Sequence, residues 1–240
     1  MPSASSSADR RTVLAGGAVL TAALATPALG KVAAPRPKPS PPVGLPIAPQ
    51  PLPFAPASLG WLSDKLIASH HANNYTGAVK RLAAIRDQFA GLDPAAAPGF
   101  TLNGLKREEL MAWNSMILHE LYFAGLGGAP AAVAAPLAEA IERDFGSMAR
   151  WTGEFAAMGK ALGGGSGWVL LTWSPRERKL VNQWASDHTQ ALAGATPLLA
   201  LDMYEHAYAL DFGAKAGAYV DAFMSHLSWA HANAVFWRLG

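Results

Sequence analysis

The segment LALDMYEHAYAL, residues 199–210, places an acid and a histidine inside a mostly apolar stretch. Asp202 and His206 stand four positions apart, and most of their neighbours are residues that normally enter a protein core. A charged side chain is rarely buried unless it is paired with another group or binds a metal ion. Any fold that buries this segment must therefore offset the free-energy cost of removing both groups from water.

Cysteine is absent from the 240 residues, which excludes disulfides, thiolate nucleophiles and zinc sites built on sulfur. A metal would have to be held by nitrogen and oxygen, and seven histidines are available. Hydrophobic residues make up 51% of the chain, enough for a substantial core. Outside residues 1–30, 17 basic and 16 acidic residues leave a net charge of +1, so we expect no nucleic-acid partner.

Residues 1–30 have the layout of an export signal. Arg10 and Arg11 precede a short apolar stretch, and ALG at the end is a small-x-small cleavage pattern. The pair of arginines is similar to a twin-arginine signal. The apolar stretch is short for the alternative, an uncleaved membrane anchor. We therefore expect cleavage, a periplasmic or secreted bacterial protein, and no membrane span after signal removal.

Proline density sets the next boundary. Residues 31–57 contain so many prolines that neither a helix nor a central strand can form there. We predict a semi-rigid extended linker, with the folded body beginning near Ser58. The body is predicted to divide into a helical-hairpin domain at 58–130 and a metal-binding α+β domain at 131–240.

Helical spacing of apolar residues covers 62–90, and Ser63 can cap the start of that helix. A second helix is predicted over 106–122, before the glycines of AGLGG. The turn-forming run at 92–100 lies between them, so the two helices are predicted to form an antiparallel hairpin.

The second half of the body mixes helices with a short sheet. Strand-like runs flank a predicted hairpin turn, and a third apolar run follows them. The fold class is therefore α+β: an N-terminal antiparallel helical hairpin, then a C-terminal α/β domain with a short three-stranded antiparallel sheet. The predicted strands are 168–173, 179–185 and 197–201, and the predicted helices are 136–145, 149–161, 205–212 and 216–236.

Three segments offer histidines of the buried type. His70 and His71 are adjacent in the first helix, whose spacing puts only one of them on the apolar face. His119 lies among apolar residues of the second helix, and Asp202 and His206 follow the third strand. Three imidazoles and one carboxylate suit iron or manganese, while zinc remains possible on ligand type alone.

At these residues the chain resembles the iron/manganese superoxide dismutases. The segment DMYEHAY at 202–208 is similar to the family's D-x-W-E-H-A-Y box, and GSGW at 165–168 matches its GSGW. The segment HELYF at 119–123 is similar to its second-ligand helix, and 64–71 align without a gap to its first-ligand helix. The resemblance runs from Leu59 to Phe236, nearly the whole predicted body.

The resemblance implies a function and a set of roles. The expected activity converts superoxide to dioxygen and hydrogen peroxide at a mononuclear iron or manganese site. The expected partners are superoxide and a second copy of the chain, in a homodimer. Glu205 matches a glutamate that reaches the partner's ligand histidine. His188 matches a residue that hydrogen-bonds metal-bound solvent, and Tyr122 and Trp168 match pocket-lining residues. The implied metal ligands are His70, His119, Asp202 and His206.

The sequence departs from the family around the entrance to that site. Ala78 and Ala209 stand where the family has tyrosine, and Ala216 stands where it has arginine. Asn74 stands where the family has histidine, and Tyr204 where it has tryptophan. Lys215 is a candidate replacement for the missing positive charge, and Tyr75 could reach inward. An alternative function is therefore a dismutase-like metal-binding protein with little or no turnover. The departures are Asn74, Ala78, Tyr204, Ala209 and Ala216.

Overall fold

The computed structural model describes residues 47–127 and 131–239. The predicted export signal at 1–30 lies outside the described residues, and so does the first part of the predicted linker, 31–46. Among the described residues, no helix is both long and apolar enough to cross a membrane.

The last part of the predicted linker packs against the body. Residues 47–57 run without regular hydrogen bonding until a short 3-10 turn at Pro56–Ser58. The backbone N–H of Gln50 donates to the hydroxyl of Tyr75 at 2.8 Å. Prolines prevent a helix here, but the apolar side chains between them can still be buried. The packed structure therefore begins before Ser58, and the half-buried side chains against the core are Ile47, Leu52 and Phe54.

The predicted helical hairpin is present, with one irregular turn. Ser63 caps the first helix, because its hydroxyl accepts from the Leu66 N–H at 3.1 Å. A π-helical turn interrupts the predicted helix at His70–Tyr75. Such insertions occur frequently at functional sites. The hairpin consists of α1 (Asp64–Ser69), the π-helical turn, α2 (Thr76–Ala90) and α3 (Gly99–Leu126).

The predicted three-stranded sheet is confirmed. Strand β1 lies in the centre and pairs with both neighbours in antiparallel register. Two helices precede the sheet. Each begins one residue before its predicted start and ends at its predicted end. The elements are α4 (Ala135–Phe145), α5 (Met148–Ala161), β1 (Trp168–Ser174), β2 (Lys179–Ala185) and β3 (Thr196–Asp202).

The C-terminal helices are more broken than predicted. The region predicted as one helix over 205–212 is a 3-10 turn at Glu205–Ala207 followed by α6 (Ala209–Phe212). The region predicted as one helix over 216–236 splits into α7 (Ala216–His226) and α8 (Ala230–Leu239). Between them the backbone N–H of Ser228 donates to the carbonyl of Gly125 at 2.8 Å, so a tertiary contact replaces a helical one.

One core joins the two predicted domains. Helix α3 from the hairpin packs on β3, and Leu121 and Tyr122 of α3 belong to the same buried cluster as Trp168 and Phe223. Residues on both sides of the predicted boundary at 130–131 therefore contribute to one buried core. Helix α3, the π-helical turn and the end of β3 come together beside it.

Candidate metal centre

Asp202 is the last residue of β3 and is completely buried. Its Oδ1 accepts from the backbone N–H of Tyr204 at 2.9 Å, and the Tyr219 hydroxyl donates to its backbone carbonyl at 2.9 Å. These bonds fix the carboxylate and leave Oδ2 facing the hairpin.

The structure brings the four predicted ligand residues together. One candidate ligand atom from each of His70, His119, Asp202 and His206 lies within 4.8 Å of the other three. The Asp202 Oδ2 atom is 3.2 Å from His70 Nε2 and 3.6 Å from His119 Nε2. It is 3.1 Å from His206 Nε2. The cluster therefore draws on the π-helical turn, α3, β3 and the 3-10 turn.

Several nitrogen atoms of the cluster lack a hydrogen-bond partner. Within the described residues, both ring nitrogens of His70 and the Nε2 atom of His119 are buried without one. The Nδ1 atom of His119 is satisfied, because it lies 2.6 Å from the Ser115 carbonyl, to which it donates. Buried polar atoms are normally paired, and an unpaired one costs free energy. Lone pairs directed together at a carboxylate fit a metal ion.

The electrostatics also fit a cation. Burial lowers the pKa of His70 and lowers that of His119 to about 3, so both imidazoles are neutral. Burial alone would raise the pKa of Asp202, but the hydrogen bond from His206 and the close approach of the His70 imidazole outweigh it and hold that pKa below its usual value. Neutral imidazoles and one carboxylate are the protonation states that metal binding requires.

The predicted neighbours lie beside the cluster. The Trp168 Nε1–H donates to His188 Nδ1 at 3.0 Å, and the Trp168 ring centroid lies 5.3 Å from that of His119. The Tyr122 ring centroid is 5.2 Å from that of His70, and its hydroxyl oxygen lies 3.1 Å from the hydroxyl oxygen of Tyr219. Because His188 accepts at Nδ1, its neutral imidazole carries its proton on Nε2.

Tyr204, which stands where the family has tryptophan, stacks between two histidines. Its ring centroid lies 4.8 Å from that of His188 and 5.3 Å from that of His206. The ring planes differ by 9° and 12° respectively, so Tyr204 presents a flat aromatic surface to both imidazoles.

A cavity of about 290 Å³ opens beside the cluster. Ala78 lies on it, as the resemblance implies for that position. Lys215 is exposed but is not among the cavity-lining residues, and neither is Ala209 or Ala216. The cation that does line it is Arg81. The lining residues that matter for the chemistry are Asn74, Ala78, Arg81, His119, His188 and His206.

Sequence reasoning missed the position of Arg81, although the signal was present. Residues 74, 78 and 81 are spaced by four and three, so they share one face of a helix. Since Ala78 was already placed at the entrance, Arg81 belonged there too. Sequence reasoning also missed a contact between Asn74 and His206, because nothing local connects residues 132 positions apart.

Comparison with known proteins agrees with the geometry. Residues 133–235 match the family described as iron/manganese superoxide dismutases, C-terminal domain. A protein named superoxide dismutase [Fe] from Cupriavidus metallidurans is 67% identical over 180 residues, covering 75% of this chain and 91% of the relative.

More distant relatives carry either metal in their names. A superoxide dismutase [Mn] from Haloarcula marismortui is 33% identical over 184 residues, covering 71% of this chain and 83% of the relative. A superoxide dismutase [Fe] from Aquifex aeolicus is 31% identical over 186 residues, covering 75% and 86% respectively. With its buried cluster of three histidines and an aspartate, this chain belongs to the iron/manganese superoxide dismutase family.

Proposed function

We propose that the protein disproportionates superoxide at one iron or manganese ion per chain, held by His70, His119, Asp202 and His206. The balanced reaction takes two superoxide anions and two protons to dioxygen and hydrogen peroxide. The observation that carries the proposal is the buried cluster with unpaired imidazole nitrogens beside a cavity. When bound, the metal supplies a one-electron couple that can accept an electron from one superoxide and return it to another.

The chain's own residues provide orientation, a dry surrounding and a hydrogen-bond donor. Ser115 and Tyr204 fix His119 and Asp202 through the backbone bonds described above. Tyr122 and Trp168 are fully buried against the cluster and exclude water from its inner side. His188, held by Trp168, keeps a proton on Nε2 and can donate it in a hydrogen bond at the cavity edge.

A direct assay tests this function. We expect the full chain, loaded with iron or manganese, to remove superoxide much faster than its His119→Ala variant in a stopped-flow decay measurement. His226→Ala is the matched control, because this exposed histidine lies outside the cluster, bonds the Ala222 carbonyl of its own helix and stacks on Trp61. Equal rates for the loaded protein and the His119→Ala variant would contradict the proposal.

The alternative of a metal-binding protein with little turnover finds no support in the comparisons, where the relatives are named superoxide dismutases. The entrance also keeps a positive charge. Arg81 lines the cavity and pairs with Glu108, and its side chain is 56% exposed. A cation at the mouth of a cavity raises the local concentration of a small anion.

Arg81→Ala is expected to lower the second-order rate constant for superoxide by roughly tenfold at low ionic strength. The loss should shrink as salt is added, because ions screen the attraction. Stopped-flow rates at several salt concentrations measure this. Arg107→Ala is the control, since Arg107 contacts the same Glu108 but does not line the cavity. A salt-independent loss, or none, would show that Arg81 does not guide the anion.

A homodimer is part of the proposal and rests on the family resemblance. Glu205, Ala209 and Leu210 are exposed beside the cluster, and Leu210 is 54% exposed, which suits an interface at this surface. Sedimentation of the full chain tests it. A dimer that dissociates in the Leu210→Asp variant is expected, and a wild-type monomer at micromolar concentration would contradict the assignment.

Export to the periplasm or exterior is proposed from Arg10 and Arg11 and the apolar stretch that follows them. Fractionation of bacteria that express the full chain measures it. Replacement of both arginines by lysine should retain the protein inside the cell, and an unchanged distribution would contradict a twin-arginine signal.

A further inference from the structure

The loop between β2 and β3 carries His188, and a side chain from α3 anchors that loop. The Asn114 Nδ2 atom donates to the backbone carbonyl of His188 at 2.6 Å, although the two residues are 74 positions apart. Both residues are half-buried, and His188 lines the cavity beside the cluster whereas Asn114 does not. Asn114 therefore holds the loop from outside the cavity.

The turn at His188 is closed by its two neighbours. The Asp187 Oδ1 atom accepts from the backbone N–H of Thr189 at 2.7 Å and from the Thr189 hydroxyl at 2.6 Å. Bonds of this kind fix the local conformation of a turn. They do not fix where the turn lies relative to α3, because they join residues of the turn to one another. A bond from another element is needed for that, and Asn114 supplies one.

The imidazole ring of His188 is held from two further sides. Trp168 Nε1–H donates to its Nδ1 at 3.0 Å, and the Tyr204 ring stacks on it with centroids 4.8 Å apart. The ring centroid lies 6.1 Å from that of His119, which follows Asn114 by five residues on α3. One helix thus carries both a candidate ligand and the anchor of the loop, so it sets the distance between His119 and His188.

We propose that Asn114 is a positioning residue for superoxide disproportionation, and that it holds the Nε2–H of His188 at the cavity edge through the backbone of the loop. Asparagine is suited to this because its amide nitrogen donates, whereas a backbone carbonyl can only accept. A displacement of about 1 Å at a group that orients a reactant can lower a rate by up to about 100-fold. The inference rests on the proposed function, which gives His188 a part in the reaction.

Kinetics test the coupling between the two residues. Asn114→Leu preserves the size of the side chain but cannot donate, and the Asn114→Asp carboxylate can only accept. Each should lower the second-order rate constant for superoxide roughly tenfold in the metal-loaded full chain. In a His188→Ala background, Asn114→Leu should cause a further loss of less than about twofold, because the group that it positions is absent.

Gln183→Met is the matched control. Gln183 holds the same loop beyond His188, since its amide nitrogen donates to the Gln190 carbonyl and its Oε1 accepts from the Leu192 N–H, both at 3.1 Å. Loss of these two bonds should leave the rate constant at the wild-type value. An equal loss of rate from Asn114→Leu with and without the His188 imidazole would show a general structural role and overturn the inference.

Imidazole ¹⁵N spectra of the metal-free full chain separate this inference from the proposed function. In mildly alkaline buffer the imidazole is neutral. His188 should then be protonated on Nε2 alone in the wild type and in Gln183→Met, and should show values averaged between its two nitrogens in both Asn114 variants. An unchanged His188 spectrum in those variants would overturn the inference. The expected spectra from a chain that removes no superoxide would uphold the placement of His188 by Asn114 while the proposed function fails.

Discussion

Replacing Asp202 by asparagine is expected to weaken iron or manganese binding by more than about 100-fold and to reduce superoxide removal to background. The carboxylate is the only negative charge in the cluster, and its Oδ2 lies within 3.6 Å of all three histidine Nε2 atoms. Asparagine has the same shape and can still accept from the Tyr204 N–H at the Oδ1 position. The substitution therefore removes charge and a ligand atom without opening a hole.

Metal content after dialysis, together with the thermal unfolding midpoint, measures this effect. In the absence of metal, the variant should unfold at a lower midpoint than the wild type, because its neutral amide lacks the favourable interactions with His206 and His70 that hold the pKa of the carboxyl group down. Asp221→Asn is the control, since Asp221 is exposed and pairs with Lys160 at 2.6 Å. An Asp202→Asn protein that retains a full complement of metal would contradict the assignment of the cluster.

Gly167→Ala is expected to reduce the free energy of unfolding by about 3 kcal/mol or more. The backbone φ angle of Gly167 is 139°, a value that residues other than glycine rarely adopt. A Cβ atom added there would also lie 2.3 Å from the Ala185 carbonyl oxygen. Its own carbonyl accepts from the Met203 N–H at 2.9 Å. The residue thus joins the start of β1 to the ends of β2 and β3, directly before Trp168.

Urea unfolding compares this variant with Gly165→Ala. A Cβ at Gly165 would meet the Leu162 carbonyl oxygen at 3.6 Å, an ordinary contact, and the backbone there is not left-handed. We expect Gly165→Ala to unfold close to the wild type, so the two glycines of one short motif should behave differently. A similar loss of unfolding free energy at both positions would contradict the explanation from the φ angle and close contact of Gly167.

The glycines explain what the GSGW segment does. Its match to the family predicted a position in the fold but not a physical role. The backbone at Gly167 supplies that role, because the chain must pass close to β2 before Trp168 can lie against His119. The similarity of the motif therefore indicated where the segment lies in the fold. The reason for its glycine could be seen only from the backbone contacts in the structure.

The sheet was predictable to within a residue or two at each end. Strands β1 and β3 are short apolar runs bounded by turn signals, and their burial on both faces keeps that pattern in the sequence. The C-terminal helices were less predictable, because the break before Trp229 depends on a tertiary bond from Ser228 to Gly125. A local pattern carries no information on such a contact.

The candidate site divides in the same way. The four candidate ligands could be chosen from apolar surroundings and family resemblance, and the structure brings them together. The π-helical turn, which carries His70 and Asn74, has no signature in residue spacing that distinguishes it from an α-helix. The packing of residues 47–57 against the core could not be predicted from composition. A high proline content suggests a linker whether or not the apolar residues between the prolines are buried.

The positive charge at the entrance lies on a different element from the one that the resemblance indicated. The resemblance located missing side chains at Ala78, Ala209 and Ala216 and pointed to Lys215 for the charge. The cavity instead has Arg81 at its wall, one turn after Ala78 on α2. Because an electrostatic guide acts over several ångströms, its position along the chain is less restricted than that of a ligand.

We propose that one iron or manganese ion per chain, held by His70, His119, Asp202 and His206, is responsible for superoxide removal. Titrating the metal-depleted full chain with Fe²⁺ or Mn²⁺ while measuring bound metal and dismutation tests it directly. We expect activity to rise in proportion to bound metal and to saturate at one ion per chain, with no such rise in His119→Ala. Activity that is independent of metal content, or equal saturation in the His119→Ala protein, would contradict it.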